Sequence, residues 1–217
     1  MTVDWRLYYV TDPSLAGGRD KVASTVEQAV LGGATVVQFR DKEADDQAFR
    51  QGVLACQKAI ERAVTKGAAG AELFVNDRLE VATQLGTHLH IGQSDGDPAR
   101  IRARLGPGRL LGISVSSRSE LEAVVLGGHA DVIGLSPVWD TSTKTDTAAA
   151  LELEGVRELL AAKPAELPAV AIGGITIANA AEVIATGVDG ICVVSAIAAA
   201  ACPREAAAQL RALWEEA

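Results

Sequence analysis

The sequence predicts an α/β fold, a (β/α)8 TIM barrel, and three observations point there. Short apolar runs alternate with longer helical patterns along the whole chain, as in a parallel sheet buried under helices on both faces. The alternation repeats eight times. The length of 217 residues also falls within the roughly 200 to 250 typical of such a barrel. An open doubly wound sheet uses the same units, but a regular count of eight favours closure. No Ser- or Pro-rich linker divides the chain, so residues 1–217 are expected to form a single barrel domain.

The elements follow in order. Leu7 to Val10 is the first strand-like run, and a helical pattern covers Asp20 to Leu31. Gly32-Gly33 then fits a helix C-terminus, where a residue free to adopt left-handed backbone is favoured. The β-branched run Thr35 to Phe39 is the second strand, followed by a helix over Asp46 to Thr65. Glu72 to Val75 precedes a short helix, Leu79 to Leu85. Thr87 to Ile91 precedes Pro98 to Leu105, and Arg109 to Ser114 precedes Arg118 to Leu126, which Gly127-Gly128 closes. Asp131 to Leu135 leads into a long loop and a helix near Leu151 to Ala162. Ala169 to Ile172 leads to Ile177 to Ala185, with Thr186-Gly187 beyond it. Gly190 to Val194 precedes the last helix, Pro203 to Trp214.

Composition narrows the partners. Hydrophobic residues are 48% and charged residues 22%, an ordinary globular balance. Aromatics are only 4% and the net charge is −8, which argues against nucleic acid as a partner. Met1 to Tyr9 carries no apolar leader and no run is long enough to span a bilayer, so a cytoplasmic protein without membrane contact is expected. Cys56, Cys192 and Cys202 are odd in number and lack metal-ligand spacing, as core thiols in a reducing compartment would. Small molecules remain as partners; a homo-oligomer is compatible with the sequence, which leaves oligomeric state open.

In a barrel of this kind chemistry belongs at the C-terminal strand ends. The second strand ends Gln38-Phe39-Arg40-Asp41-Lys42. Alternate side chains on an extended segment share a side, so Gln38, Arg40 and Lys42 converge. Two cations at the end of a buried strand are costly without an anion, and a diphosphate suits a guanidinium fork beside an ammonium. The plainer alternative is a solvated end paired with Asp41 or Glu43. Asp77 and Asp95 follow the next two strands; they suit a hard cation such as Mg2+, although either alone fits a helix N-cap. Gly173-Gly174 and Val194-Ser195, on the last two strands, suit a phosphate approached by backbone N–H groups. Thr141, Thr143 and Lys144 lie in the loop between, whose length suggests function. His90 fits a hydrogen-bonded structural histidine better than a base, and His88 and His129 fit peripheral positions. No Ser-His-Asp or Cys-His arrangement is evident.

Taken together, Val37-Gln38-Phe39-Arg40-Asp41-Lys42, Val75-Asn76-Asp77, His90-Ile91-Gly92-Gln93-Ser94-Asp95, Thr141-Ser142-Thr143-Lys144 and Ile172-Gly173-Gly174-Ile175 resemble the thiamine phosphate synthase family. The likeness runs from Tyr8 to Ile197. It implies the (β/α)8 barrel and the Mg2+-dependent joining of 4-amino-5-hydroxymethyl-2-methylpyrimidine diphosphate to 4-methyl-5-(2-hydroxyethyl)thiazole phosphate, giving thiamine phosphate and diphosphate. It further implies that Gln38, Phe39, Arg40, Asp41, Lys42, Asn76, Ser114 and Lys144 bind the pyrimidine diphosphate. Asp77 and Asp95 would hold Mg2+, and Thr141, Ser142, Thr143, Gly174, Val194 and Ser195 would bind the thiazole phosphate. Arg40, Lys42 and Lys144 would carry the catalysis, stabilising the departing diphosphate.

Three positions depart from the family pattern. The stretch before His90 reads Gly86-Thr87-His88, one residue short. Asp140 stands where a Pro precedes the loop threonines, and Ser116 where a His often follows the fifth strand. Ser116 also speaks against the related thiazole tautomerases, which use that His. Other readings are a non-catalytic barrel binding thiazole phosphate or thiamine phosphate, which would need neither Arg40 nor the aspartates, and a phosphosugar isomerase, which would leave the cationic strand end unexplained.

Overall fold

A computed structural model describes residues 3–140 and 149–215. Eight parallel strands close into a barrel in chain order. They are β1 (Leu7–Val10), β2 (Val36–Phe39), β3 (Glu72–Asn76), β4 (His88–Ile91), β5 (Leu111–Val115), β6 (Val132–Leu135), β7 (Ala169–Ile172) and β8 (Gly190–Val193). Closure is visible at β1, where Tyr8 is in register with Val36 on one side and with Cys192 on the other. The helices are α1 (Arg19–Leu31), α2 (Asp46–Thr65), α3 (Leu79–Leu85), α4 (Pro98–Leu105), α5 (Arg118–Gly127), α6 (Glu152–Ala162), α7 (Ala180–Ile184), α8 (Ser195–Ala198) and α9 (Pro203–Ala212).

The strand residues are apolar almost without break because both faces are covered. Outward side chains such as Leu7, Val37, Phe39, Val75 and Leu89 join the helices in one apolar layer. Inward ones form a second cluster of Trp5, Tyr8, Val10, Val36, Phe74, Val132, Val170 and Cys192. Trp5 precedes β1 and seals the floor of the barrel. Its ring lies 6.5 Å from that of Tyr8 and 6.0 Å from that of Phe74. A β-carbon on Gly190 would fall 1.9 Å from the Trp5 carbonyl oxygen, so the floor closes only over a glycine.

Strand and helix order matches the expectation from the sequence, and the ends differ where side chains take over backbone groups. β5 begins at Leu111 rather than Arg109, because the Leu110 N–H donates to His88 Nδ1 instead of joining the ladder. α7 begins at Ala180 rather than Ile177. There Asn179 folds back, accepting from the Thr176 N–H at 2.7 Å and donating to the Gly174 carbonyl at 3.0 Å, which holds the preceding residues in a turn. The last helix ends at Ala212 rather than Trp214. The four-residue α8 directly after β8 is too short to show a period and was not expected. No helix among the described residues is long and apolar enough to cross a membrane. Cys56 and Cys192 are buried free thiols and Cys202 is an exposed one.

Candidate active site

The C-terminal ends of the strands surround a cavity of about 480 Å³. Gln38, Arg40 and Lys42 line one wall, and Asn76, Asp77 and Asp95 adjoin them. Ser114 contributes from β5, and Gly173, Gly174, Val194 and Ser195 line the opposite wall. The alternation read from the sequence therefore holds past the strand end. Its odd members point elsewhere. The Phe39 ring packs outward at 4.8 Å, edge to face, on Phe49 of α2, a contact worth about 0.5–1.5 kcal/mol beyond its burial. Asp41 turns from the cavity to Arg19 at the start of α1, accepting from Nε at 2.6 Å and Nη2 at 3.1 Å. Phe39 and Asp41 thus stand outside the lining that the resemblance assigned them to. Thr141, Ser142, Thr143 and Lys144 lie outside the described residues.

The cationic wall is braced from β1. Thr11 Oγ1 accepts from the Arg40 N–H at 2.9 Å and donates to the Arg40 carbonyl at 3.1 Å. Gln38 is buried and donates to the Tyr8 hydroxyl at 2.9 Å. Arg40 approaches the carboxylate of Asp12 only to 4.0 Å, so its guanidinium is not consumed by a close pair.

Asp77 and Asp95 converge although they leave different strands. Neither caps a helix: α3 has Arg78 at its N-cap position, and α4 is capped by Asp97. Asp77 adopts left-handed backbone, φ 61°, held by its N–H donating to the His90 carbonyl at 2.9 Å. Non-glycine residues adopt this conformation at a cost, and those that do cluster at functional sites. Asp95 is fixed by the Gly92 N–H, which donates to Oδ2 at 2.6 Å. The Asp77 carboxyl is pushed up to about 6, by burial first, then by the charge of Asp95 and a hydrogen bond with it; Asn76 and Lys42 pull the other way. A carboxyl raised by a second carboxylate beside it suits a dication, which relieves the repulsion. Among the described residues no cluster of three or more His, Cys, Asp or Glu side chains occurs. An ion here would complete its coordination with water and substrate phosphate, the usual preference of Mg2+.

His90 was missed as a lining residue. Its Nε2 lies 3.0 Å from Ser114 Oγ, and its ring fills the space over β5 and β6 that two glycines leave open. A β-carbon at Gly112 would meet the ring at 2.3 Å and one at Gly134 at 3.2 Å. Glycines on two consecutive strands beside a histidine were the available signal, and strand register was needed to see it. Tyr8, Gln93 and Glu120 were also missed. Glu120 accepts from both the N–H and the hydroxyl of Ser116, so serine here is tied to the start of α5.

On the far wall Gly173 and Gly174 have φ of 112° and 68°. Their α-carbons press on the segment after β6: added β-carbons would fall 2.7 Å from Pro137 Cβ and 2.9 Å from Trp139 Cβ. The backbone itself therefore forms this wall, next to Ser195 at the start of α8.

Residues 7–197 match the family model described as thiamine monophosphate synthase. A thiamine-phosphate synthase of Chloroflexus aurantiacus is 44% identical over 97% of this chain and 93% of its own length. A thiamine biosynthesis multifunctional protein ThiED of Corynebacterium efficiens is also 44% identical, over 98% of this chain. The chain spans only 29% of that relative's length. Among solved structures, a thiamine phosphate pyrophosphorylase from Pyrococcus furiosus superposes with a TM-score of 0.85 at 32% identity, over 98% of this chain and 96% of the other.

Proposed function

Because the chain belongs to the thiamine monophosphate synthase family, we propose that it is a transferase, a thiamine-phosphate synthase. It joins 4-amino-5-hydroxymethyl-2-methylpyrimidine diphosphate to 4-methyl-5-(2-hydroxyethyl)thiazole phosphate and releases diphosphate. It works as one barrel domain in the cytoplasm on small-molecule substrates. One observation carries the reading: a single cavity has Arg40, Lys42, Asp77 and Asp95 on one side and Gly174, Val194 and Ser195 on the other. That is an arrangement for two anions held face to face.

Asp77 and Asp95 are the residues to hold Mg2+. Bound there, the ion would supply positive charge for the diphosphate. Arg40 and Lys42 bind the diphosphate and stabilise the charge that grows on it as the methylene–oxygen bond breaks. Gln38, Asn76 and Ser114 orient the pyrimidine, whose amino group helps to delocalise the cation left behind. Gly174, Val194 and Ser195 fix the thiazole phosphate, so that the ring nitrogen faces the methylene carbon and attacks within one enclosed site. The resemblance adds Thr141, Ser142 and Thr143 to the thiazole phosphate contacts and Lys144 to the diphosphate contacts. No protein nucleophile is required, in keeping with a cavity that presents charges and amides.

The test supplies purified protein with both substrates and Mg2+. Thiamine phosphate and diphosphate should form in equal amounts, and only when both substrates are present. No product under these conditions sinks the proposal.

A further inference from the structure

Asp41 sits between Arg40 and Lys42 in the sequence, on the same short segment as both cations. It pairs with neither. The side chain is 4% exposed and lies in the fork of Arg19, at 2.6 Å from Nε; it also accepts from the Glu43 N–H at 3.1 Å. Arg19 lines no part of the substrate cavity, yet it shares a shallow outer groove with Arg40, Asp41 and Lys42. On the opposite flank Arg78 donates to the Ala44 carbonyl and to Asp46, and stacks 4.3 Å over the Phe49 ring. The segment joining β2 to α2 is thus gripped on both sides by guanidinium groups outside the cavity.

Building on the proposed diphosphate site, we infer that Arg19 is a positioning residue that diverts the Asp41 carboxylate, so that Arg40 and Lys42 keep their charge for the substrate. Two consequences of the geometry support this. A bidentate guanidinium–carboxylate pair fixes direction as well as distance, and here it points Asp41 outward. A carboxylate freed from it, on the same short segment as two cations, would pair with them and lower the positive potential of the wall. A pair that served only to anchor the fold would, when broken, lower stability and the binding of both substrates alike, without singling out the diphosphate.

That difference sets the experiment. Arg19→Ala, Asp41→Asn and the double variant are titrated with inorganic diphosphate and Mg2+ by calorimetry, and assayed with both substrates. Arg19→Ala should weaken diphosphate binding and raise the KM for the pyrimidine diphosphate, each by about tenfold, the scale of coupling within one charge network. The KM for thiazole phosphate should stay unchanged. The double variant should recover most of the loss, since the competing charge is gone. Arg19→Lys, which keeps the charge without the fork, should lose less than Arg19→Ala. Wild-type affinity in Arg19→Ala, a double variant no better than Arg19→Ala, or a lysine variant as weak as alanine would each overturn the inference. If the unaltered protein forms no thiamine phosphate, the proposed activity fails, while the diphosphate titrations still decide the role of Arg19.

Discussion

Asp77 and Asp95, on the loops after consecutive strands, line the same corner of one cavity, and after burial it is the charge of Asp95 that most raises the proton affinity of the Asp77 carboxyl. In the metal-free protein Asp77 therefore keeps its proton only below about pH 6.

That proton gives a pH signature. The Asp77 carboxyl titrates near 6 in the folded protein, above its ordinary value. A raised carboxyl stabilises the fold fully at low pH, and the contribution is lost as pH rises through about 6. Asp77→Asn should therefore melt higher than the unaltered protein at pH 8 without metal, and about equally at pH 4. Mg2+ should raise the melting temperature of the unaltered protein at pH 8 and leave Asp77→Asn unmoved. Thermal melts with and without Mg2+ at both pH values check this.

The cationic wall should matter to the leaving group more than to the nucleophile. Arg40→Ala or Lys42→Ala is expected to lower kcat by about 10²-fold or more, the scale seen when one charge-stabilising donor is removed. Thiazole phosphate affinity should stay within about twofold. Steady-state kinetics and direct thiazole phosphate titration separate the two effects.

Gly173 has no room for a side chain, since a β-carbon would lie 2.7 Å from Pro137 Cβ and 3.0 Å from the Val138 nitrogen. Gly173→Ala should push β7 off the segment after β6, breaking the Trp139 N–H bond to the Gly173 carbonyl. A loss of about 1–3 kcal/mol in stability is expected. Weaker thiazole phosphate binding should accompany it, with diphosphate binding kept. Denaturant melts and the two titrations measure each part.

Asp4 ties the residues before β1 to α9, accepting from Arg6 at 2.8 Å and from Arg211 at 2.6 Å. Arg6 first, then Arg211, holds its carboxyl far below the usual range. A depressed carboxyl contributes stability above its ordinary value, and that contribution is lost as pH falls. Asp4→Asn should cost about 1 kcal/mol at pH 7, a modest figure for a partly solvated pair. Near pH 2 it should cost much less. Urea melts at the two pH values test the sign.

The barrel was legible because each strand carries its own apolar run and each helix its own period, so local signals add up to a count of eight. The site was legible wherever a side chain's direction follows from strand alternation. Gln38, Arg40 and Lys42 obey that rule, and Phe39 and Asp41 occupy the alternate positions that face away from the cavity. The pairing of Asp41 with Arg19 is not readable from the motif, because Arg19 is 22 residues away on another element. His90 was underrated for a similar reason. Whether a histidine on a strand meets substrate depends on the size of residues 112 and 134, which only register brings beside it. The pairing of Asp77 with Asp95 was readable as adjacency, but the left-handed backbone that aims Asp77 was not.

The Trp5 plug makes the barrel a cul-de-sac. Tyr8 and Phe74 stand directly on it, so nothing drains through the axis. Among the described residues, the cavity is lined at the C-terminal strand ends, so ligands would enter and leave on that side. Anything bound in the cavity is held against a closed floor, and its exchange with solvent is confined to the strand-end face.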